Sequence, residues 1–230
     1  MRDHPRSVML FAAGFGTRMG ALTKTRPKPL IDVSGKPLID HALEIVRAYG
    51  PETIVANLHY LPDQIAAHLA GSDVVFSREA PDILETGGGL RAALPLLGPQ
   101  PVFTMNTDAI WRGPNPLALL AEHWQPSQMD ALLLCIPRSQ ALGHTGKGDF
   151  ILDDAGRVTR GAGLIYSGVQ IIKTDALEEI PERQFSLNLL WDRMLADNRL
   201  FAVPYPGRWC DVGQLESIAL AERLLDGADV

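Results

Sequence analysis

The chain has 230 residues, 46% of them hydrophobic, and a formal net charge of −6, enough for one domain, or two small ones, around a sizeable core. The acid excess excludes a general nucleic-acid or membrane-surface role, since either needs a basic face, and no window approaches the roughly 18 apolar residues of a membrane helix. Cys135, in an apolar run, and Cys210, far from it, provide neither a disulfide framework nor a zinc site. Arg2, Arg6 and the short apolar run after them are too brief for a signal peptide, so a cytoplasmic location is expected.

Val8 to Ala13 reads as a buried strand. A helix from Pro37 to Tyr49 follows, with proline in its first turn, Leu38, Ala42, Ile45 and Tyr49 on one face, and Gly50-Pro51 as its stop. Thr53 to Asn57 reads as a strand, Leu61 to Ala70 as a helix and Asp73 to Arg78 as a strand. Leu90 to Leu97 continues a helix that begins among Gly87, Gly88 and Gly89, and Pro101 to Asn106 is a further strand leading to Thr107-Asp108. A helix at Pro116 to Trp124 and an apolar strand, Ala131 to Ile136, complete this half. Arg138 to Gly148 is polar and glycine-rich, a mobile flap by composition. Beyond it come short strands at Asp149 to Leu152, Arg157 to Thr159 and Ile165 to Ile172, the first two joined by the turn Asp153 to Gly156. Leu187 to Asp197 is helical, Leu200 to Tyr205 and Arg208 to Asp211 are extended, and Gln214 to Leu225 is an amphipathic closing helix.

Strands alternating with helices predict an α/β domain whose largely parallel sheet is covered on both faces. Ligands of such sheets lie beyond the carboxyl ends of the strands. The Gly14 turn, the Gly87–Gly89 stretch and Asp108 all fall at such ends. Gly14 and Gly16 let the backbone bring N–H groups close to a ligand, and after Thr17 the side chains of Arg18, Lys24, Arg26 and Lys28 add cations, a pattern suited to a nucleoside triphosphate. The string is neither a P-loop nor the dinucleotide fingerprint, whose third glycine would replace Met19.

Ala12-Ala13-Gly14-Phe15-Gly16-Thr17-Arg18-Met19, then Leu22-Thr23, then Arg26-Pro27-Lys28-Pro29-Leu30, resembles the N-terminal signature of the sugar-1-phosphate nucleotidyltransferases, or nucleotide-sugar pyrophosphorylases. The resemblance implies a single Rossmann-like, GT-A-like domain with a mixed sheet, a nucleotide-binding half (1–137) and a β-rich sugar-phosphate-binding half (138–230). It implies Arg18 and Lys28 as catalytic cations, with Ala13, Gly14, Gly16 and Thr17 cradling the triphosphate. Asp108, in Asn106-Thr107-Asp108, matches the metal-binding Asp of the family's Asn-Gly-Asp string, with Thr107 standing where glycine would leave space. Asp211, in Trp209-Cys210-Asp211-Val212-Gly213, matches its second Mg²⁺ ligand.

Leu84-Glu85-Thr86-Gly87-Gly88-Gly89 is most similar to the form in the N-acetylmuramate 1-phosphate uridylyltransferases of peptidoglycan recycling, whereas mannose-1-phosphate guanylyltransferases tend towards Leu-Gly-Thr-Ala-Gly. It implies Glu85, Gly87 and Gly88 beside the nucleobase and sugar, with glycine N–H groups exposed before a helix. Gly148-Asp149-Phe150 and Tyr166-Ser167-Gly168 resemble elements of the same subgroup and, with Asn106, imply a sugar-phosphate site at Asn106, Asp149, Ser167 and Gly168. The family's Glu-Lys-Pro string, whose lysine grips the sugar phosphate, is missing, and Arg157, Arg160 and Lys147 are the candidates to replace it.

The implied reaction is Mg²⁺-dependent transfer of a nucleotidyl group to a sugar 1-phosphate, with UTP the favoured donor. Mannose 1-phosphate with GTP, glucose or N-acetylglucosamine 1-phosphate with UTP, and a cytidylyl transfer are the alternatives within the class, and a non-catalytic nucleotide-sugar-binding regulatory subunit the alternative outside it. The six histidines show no metal-ligand spacing. Trp111, Trp124 and Trp191 read as packing, and Asp175, Glu178, Glu179 and Glu182 as a solvated helix face.

Overall fold

The computed structural model describes residues 4–98 and 101–227; Arg2 lies outside them. In chain order the strands and helices are β1 (Ser7–Phe11), β2 (Asp32–Val33), β3 (Lys36–Pro37), α1 (Leu38–Tyr49), β4 (Thr53–Leu58), α2 (Pro62–His68), β5 (Val74–Arg78), α3 (Glu85–Leu97), β6 (Val102–Asn106), β7 (Ala109–Arg112), α4 (Pro116–His123) and β8 (Ala131–Ile136). The chain continues through β9 (Ala141–Leu142), β10 (Phe150–Leu152), β11 (Val158–Arg160), β12 (Ile165–Ile172), α5 (Asn188–Ala196), β13 (Leu200–Pro204), β14 (Arg208–Asp211) and α6 (Glu216–Asp226).

Seven strands form one sheet in the order β13-β8-β12-β6-β1-β4-β5. Pairings β1–β4, β1–β6, β4–β5 and β8–β13 are parallel, and β12 alone runs antiparallel to both its neighbours. The expected mixed, mainly parallel sheet is therefore present. Its central strands are apolar on both faces because helices cover both. On β8, Leu132, Leu134 and Ile136 pack with α1 and α4, while Ala131, Leu133 and Cys135 pack with α3 and α5.

From β1 the sheet grows through β4 to β5 on one side, then returns to add β6 on the other. The crevice beyond β1 and β6 is thus a topological switch point, where open α/β sheets leave room for a ligand. Two smaller sheets, β10–β11 and β7–β14–β9, make the β-rich subregion.

Three expectations change. Residues 138–148 are not a free flap, because β9 pairs in parallel with Trp209 and Cys210 of β14. The glycines at 87–89 belong to the first turns of α3, which starts at Glu85. The acidic run from Asp175 is no helix face: a single 3₁₀ turn covers Asp175–Leu177, and Glu179 pairs with Arg193 at 3.1 Å. The tryptophans pack as expected, Trp111 edge-on against Tyr205 and Trp209, and Trp124 in the main core.

Candidate active site

The turn after β1 is tied to its neighbour at once: Ala12 N–H donates to Asn57 Oδ1 at 2.8 Å. Gly16 sits at φ +64°, and a Cβ there would come within 2.9 Å of both Lys28 Cβ and Thr23 Cγ2. Only glycine meets both demands, so the turn lies directly on the stem of Lys28. Lys28 enters from a 3₁₀ turn, Lys28–Leu30, bracketed by Pro27 and Pro29. Its ammonium is nearly buried and reaches Asp108 Oδ2 at 2.5 Å.

Asp108 lies just past β6, and the neighbouring Thr107 lines the same crevice while its hydroxyl donates to the Phe11 carbonyl at 3.0 Å. The methyl-bearing residue that replaces the family's glycine therefore braces β1 at the cleft wall. Asp108 C=O accepts from Val212 N–H at 2.9 Å, and β7 pairs antiparallel with β14 so that Ala109 faces Asp211. That pairing carries Asp211 to Asp108 across a wide gap in sequence. On the far side a Cβ at Gly213 would lie 3.0 Å from Asp211 Oδ2 and 3.1 Å from Arg18 Nη1, which brings Arg18 beside the same carboxylate.

One cleft of about 290 Å³ is lined by Ala13, Gly14, Gly16, Thr17, Arg18, Lys28, Glu85 and Asp108, among others. Gly14 has open space where a side chain would stand. The cationic complement is smaller than the sequence implies, because Lys24 lines no cleft and Arg26 pairs with Asp32 at 3.0 Å on the surface. Burial first, and then the charge of Asp108, push the Asp211 carboxyl above the usual carboxylate range, against the opposing pull of Lys28, Arg18 and His144.

Two carboxylates, one just past β6 and one at the end of β14, with the charge of Asp108 raising the cost of ionising Asp211, are a donor set that a divalent cation relieves. Among the described residues there is no group of three or more His, Cys, Asp or Glu that could hold a metal ion. Mg²⁺ is commonly held by one or two carboxylates together with phosphate oxygens.

Gly87 and Gly88 do not present free N–H groups. Both donate to the Phe185 carbonyl, at 2.9 and 3.1 Å, and both are buried. A Cβ on Gly87 would meet the Phe185 ring at 2.4 Å, and one on Gly88 the Arg183 carbonyl at 2.5 Å. These glycines admit a packing segment rather than a ligand. Glu85 and Thr86, immediately before them, do line the cleft.

A second cleft, also about 290 Å³, shares Phe11, Thr86 and Asn106 with the first. Asp149 lines it, its Oδ2 accepting from Tyr166 N–H at 2.8 Å. Ser167 and Gly168 do not. The Ser167 hydroxyl accepts from Val169 N–H at 3.3 Å, and Gly168, at φ +87°, lies beneath Asn106, where a Cβ would come within 2.8 Å of the amide carbon. The pair forms the irregularity in β12 that seats Asn106. Of the candidates for the missing lysine, only Arg160 lines this cleft, while Arg157 lies over the Phe201 ring at 5.9 Å.

Sequence reasoning missed Asn57 and Glu79. Glu79 is buried, accepts from Asn57 Nδ2 at 2.7 Å and from Leu84 N–H at 2.7 Å, and so ties the phosphate turn to the segment before α3. Asn57 lies near the carboxyl end of β4 and Glu79 just past β5, and that position is the signal that would have found them. His144, with Nδ1 4.0 Å from Asp211 Oδ2, carries no local signal, since only the β9–β14 pairing brings it there.

A glycine turn, two cations and two carboxylates gathered at a switch point are the arrangement of a nucleotidyltransferase. The chain belongs to the MobA-like NTP transferase domain family, whose model matches residues 8–160. It is similar to N-acetylmuramate alpha-1-phosphate uridylyltransferase of Caulobacter vibrioides, with 40% identity over 98% of this chain and 99% of that protein. The protein of the same name from Neisseria meningitidis is 34% identical, over 94% and 96%. A probable mannose-1-phosphate guanylyltransferase of Oryza sativa is 28% identical, with 90% of this chain covered and 61% of that longer protein. In fold it is similar to HddC from Yersinia pseudotuberculosis, at TM-score 0.76 and 22% identity over 95% of this chain and 99% of that one.

Proposed function

We propose that this enzyme transfers the uridylyl group of UTP to N-acetylmuramate 1-phosphate, with Mg²⁺, giving UDP-N-acetylmuramate and pyrophosphate in the cytoplasm as a step of cell-wall recycling. The observation that carries the reaction is the meeting of Arg18, Lys28, Asp108 and Asp211 around the glycine turn at the switch point. The choice of substrates rests on the two uridylyltransferases similar to the chain nearly end to end.

An oxygen of the sugar phosphate attacks the α-phosphorus in line, and the bond from that phosphorus to the bridging oxygen of the leaving pyrophosphate breaks. The nucleophile is already an anion, so no general base is needed, and positioning and charge neutralisation carry the rate. Arg18 neutralises the β- and γ-phosphates, Lys28 bridges the reacting phosphates, and Ala13, Gly14, Gly16 and Thr17 cradle the triphosphate. Glu85 borders the nucleoside. Asn106 and Asp149 receive the sugar, with Ser167 and Gly168 acting through Asn106 rather than on the ligand. Asp108 and Asp211 would hold the Mg²⁺, which supplies Lewis-acid neutralisation of phosphate charge when bound. In this reading residues 1–137 serve the nucleotide and 138–230 the sugar phosphate, apart from Asn106 and Asp211.

The test is pyrophosphate release from each of the four ribonucleoside triphosphates against a panel of sugar 1-phosphates, with and without chelator. UTP with N-acetylmuramate 1-phosphate should be the best pair and chelation should abolish it. A preference for GTP with mannose 1-phosphate would replace the substrate assignment. Binding with no release from any pair would overturn the reaction itself.

A further inference from the structure

Arg160 is the single cation lining the second cleft among the described residues. It is held firmly. Nη2 donates to Asn188 Oδ1 at 2.8 Å and Asp192 Oδ1 at 2.9 Å, and the guanidinium stands 5.0 Å from the Phe150 ring centre and 5.7 Å from that of Trp191. Trp191 is fixed in turn, its indole N–H donating to the buried Gln170 Oε1 at 2.9 Å. Both hydrogen bonds of Arg160 leave from Nη2, so Nη1 and Nε keep donors that no protein acceptor among the described residues takes. A planar fork anchored at one nitrogen, with unused donors at the others, suits a carboxylate or phosphate rather than neutral hydroxyls.

The phosphate of a sugar 1-phosphate has to reach the α-phosphorus in the first cleft, among Lys28, Asp108 and Arg18. The sugar then crosses the wall of Phe11, Thr86 and Asn106 common to both clefts, and Arg160 meets what projects from its far side. N-acetylmuramate differs from N-acetylglucosamine by a lactyl ether that ends in a carboxylate. We propose that Arg160 is a specificity-determining residue, pairing with that lactyl carboxylate and favouring an acidic sugar 1-phosphate over its neutral counterpart. The inference rests on the function proposed above and names the contact that selects its sugar.

The experiment is calorimetric binding to the whole enzyme in the presence of an α,β-methylene analogue of UTP, with N-acetylmuramate 1-phosphate and its lactyl methyl ester as probes. The unaltered enzyme should bind the acid roughly 10- to 100-fold more tightly than the ester, the range expected of a charge-assisted hydrogen-bonded pair. Arg160→Met should bring that ratio close to one, and Arg160→Lys should keep part of it. Equal weakening of acid and ester in Arg160→Met would show a phosphate or ring contact and overturn the proposal, as would an undiminished preference for the acid. Equal binding of the two probes by the unaltered enzyme would overturn it without any variant. Failure of the underlying function shows separately, as an unaltered enzyme that releases no pyrophosphate with N-acetylmuramate 1-phosphate.

Discussion

Glu85 has φ +59°, a left-handed conformation that a residue with a Cβ adopts at a cost, yet it borders the nucleotide cleft. In the guanylyltransferase form of the motif, glycine stands there and avoids that cost. Glu85→Gly should therefore stabilise the fold by about 1 kcal/mol, read as a rise in Tm, while raising KM for UTP. A variant that melts lower, or one with unchanged KM, would remove Glu85 from the site. Lys28 and Asp211 carry the opposite balance. Lys28→Ala or Asp211→Ala should lower turnover by roughly 10²–10³-fold with the fold intact by circular dichroism, since each removes preorganised charge from the reacting phosphates. At this scale much was legible. A cationic glycine turn announces an anion site by residue type, whereas the two aspartates are picked out by the resemblance of their strings to those of the family. What no residue type announces is which glycine faces a ligand and which faces a side chain.

The glycine-rich elements make that distinction measurable. Gly14 has open space in the cleft, whereas a Cβ on Gly88 would meet the Arg183 carbonyl. Gly88→Ala should cost about 1–3 kcal/mol in denaturant unfolding, because a backbone carbonyl cannot step aside as a flexible side chain does. Gly14→Ala should leave stability unchanged and reduce pyrophosphate release. The far edge of the sheet has its own weak point in Asp130, just before β8. Burial raises its carboxyl pKa, but hydrogen bonds from Arg199 and Lys173 outweigh burial and leave it below the usual value. A carboxyl depressed in the fold adds stability above its unfolded pKa and loses it as pH falls through the folded one. Chemical unfolding should therefore show stability falling as the solution is acidified below about pH 4. In Asp130→Asn that loss should be smaller, from a lower stability at neutral pH.

For the molecule as a whole, the two clefts are joined by a wall to which β1, β6 and α3 each contribute, so neither substrate site belongs to one segment. Ligand binding should then report on the entire sheet. Saturating UTP with Mg²⁺, at about 100 times its Kd, should raise Tm by roughly 5–10 °C in a single cooperative transition. Two separated transitions would show the halves melting independently. Among the described residues no helix is long and apolar enough to cross a membrane.

The amino-acid sequence by itself determined the alternation of strands and helices, because helical and strand periodicities and glycine–proline stops are local properties. It also determined the phosphate turn and the residue types of the site, since spacing within a few residues is local too. Tertiary structure decided the rest. The antiparallel pairing of β7 with β14, across a hundred residues, joins Asp211 to Asp108. The contact of α3 with Phe185 turns apparent ligand-binding glycines into packing ones. The stacking of Arg160 on Phe150 and Trp191 separates it from Arg157, three residues away and chemically the same. Such contacts join segments whose sequences carry no information about one another, so only the packed sheet can specify them.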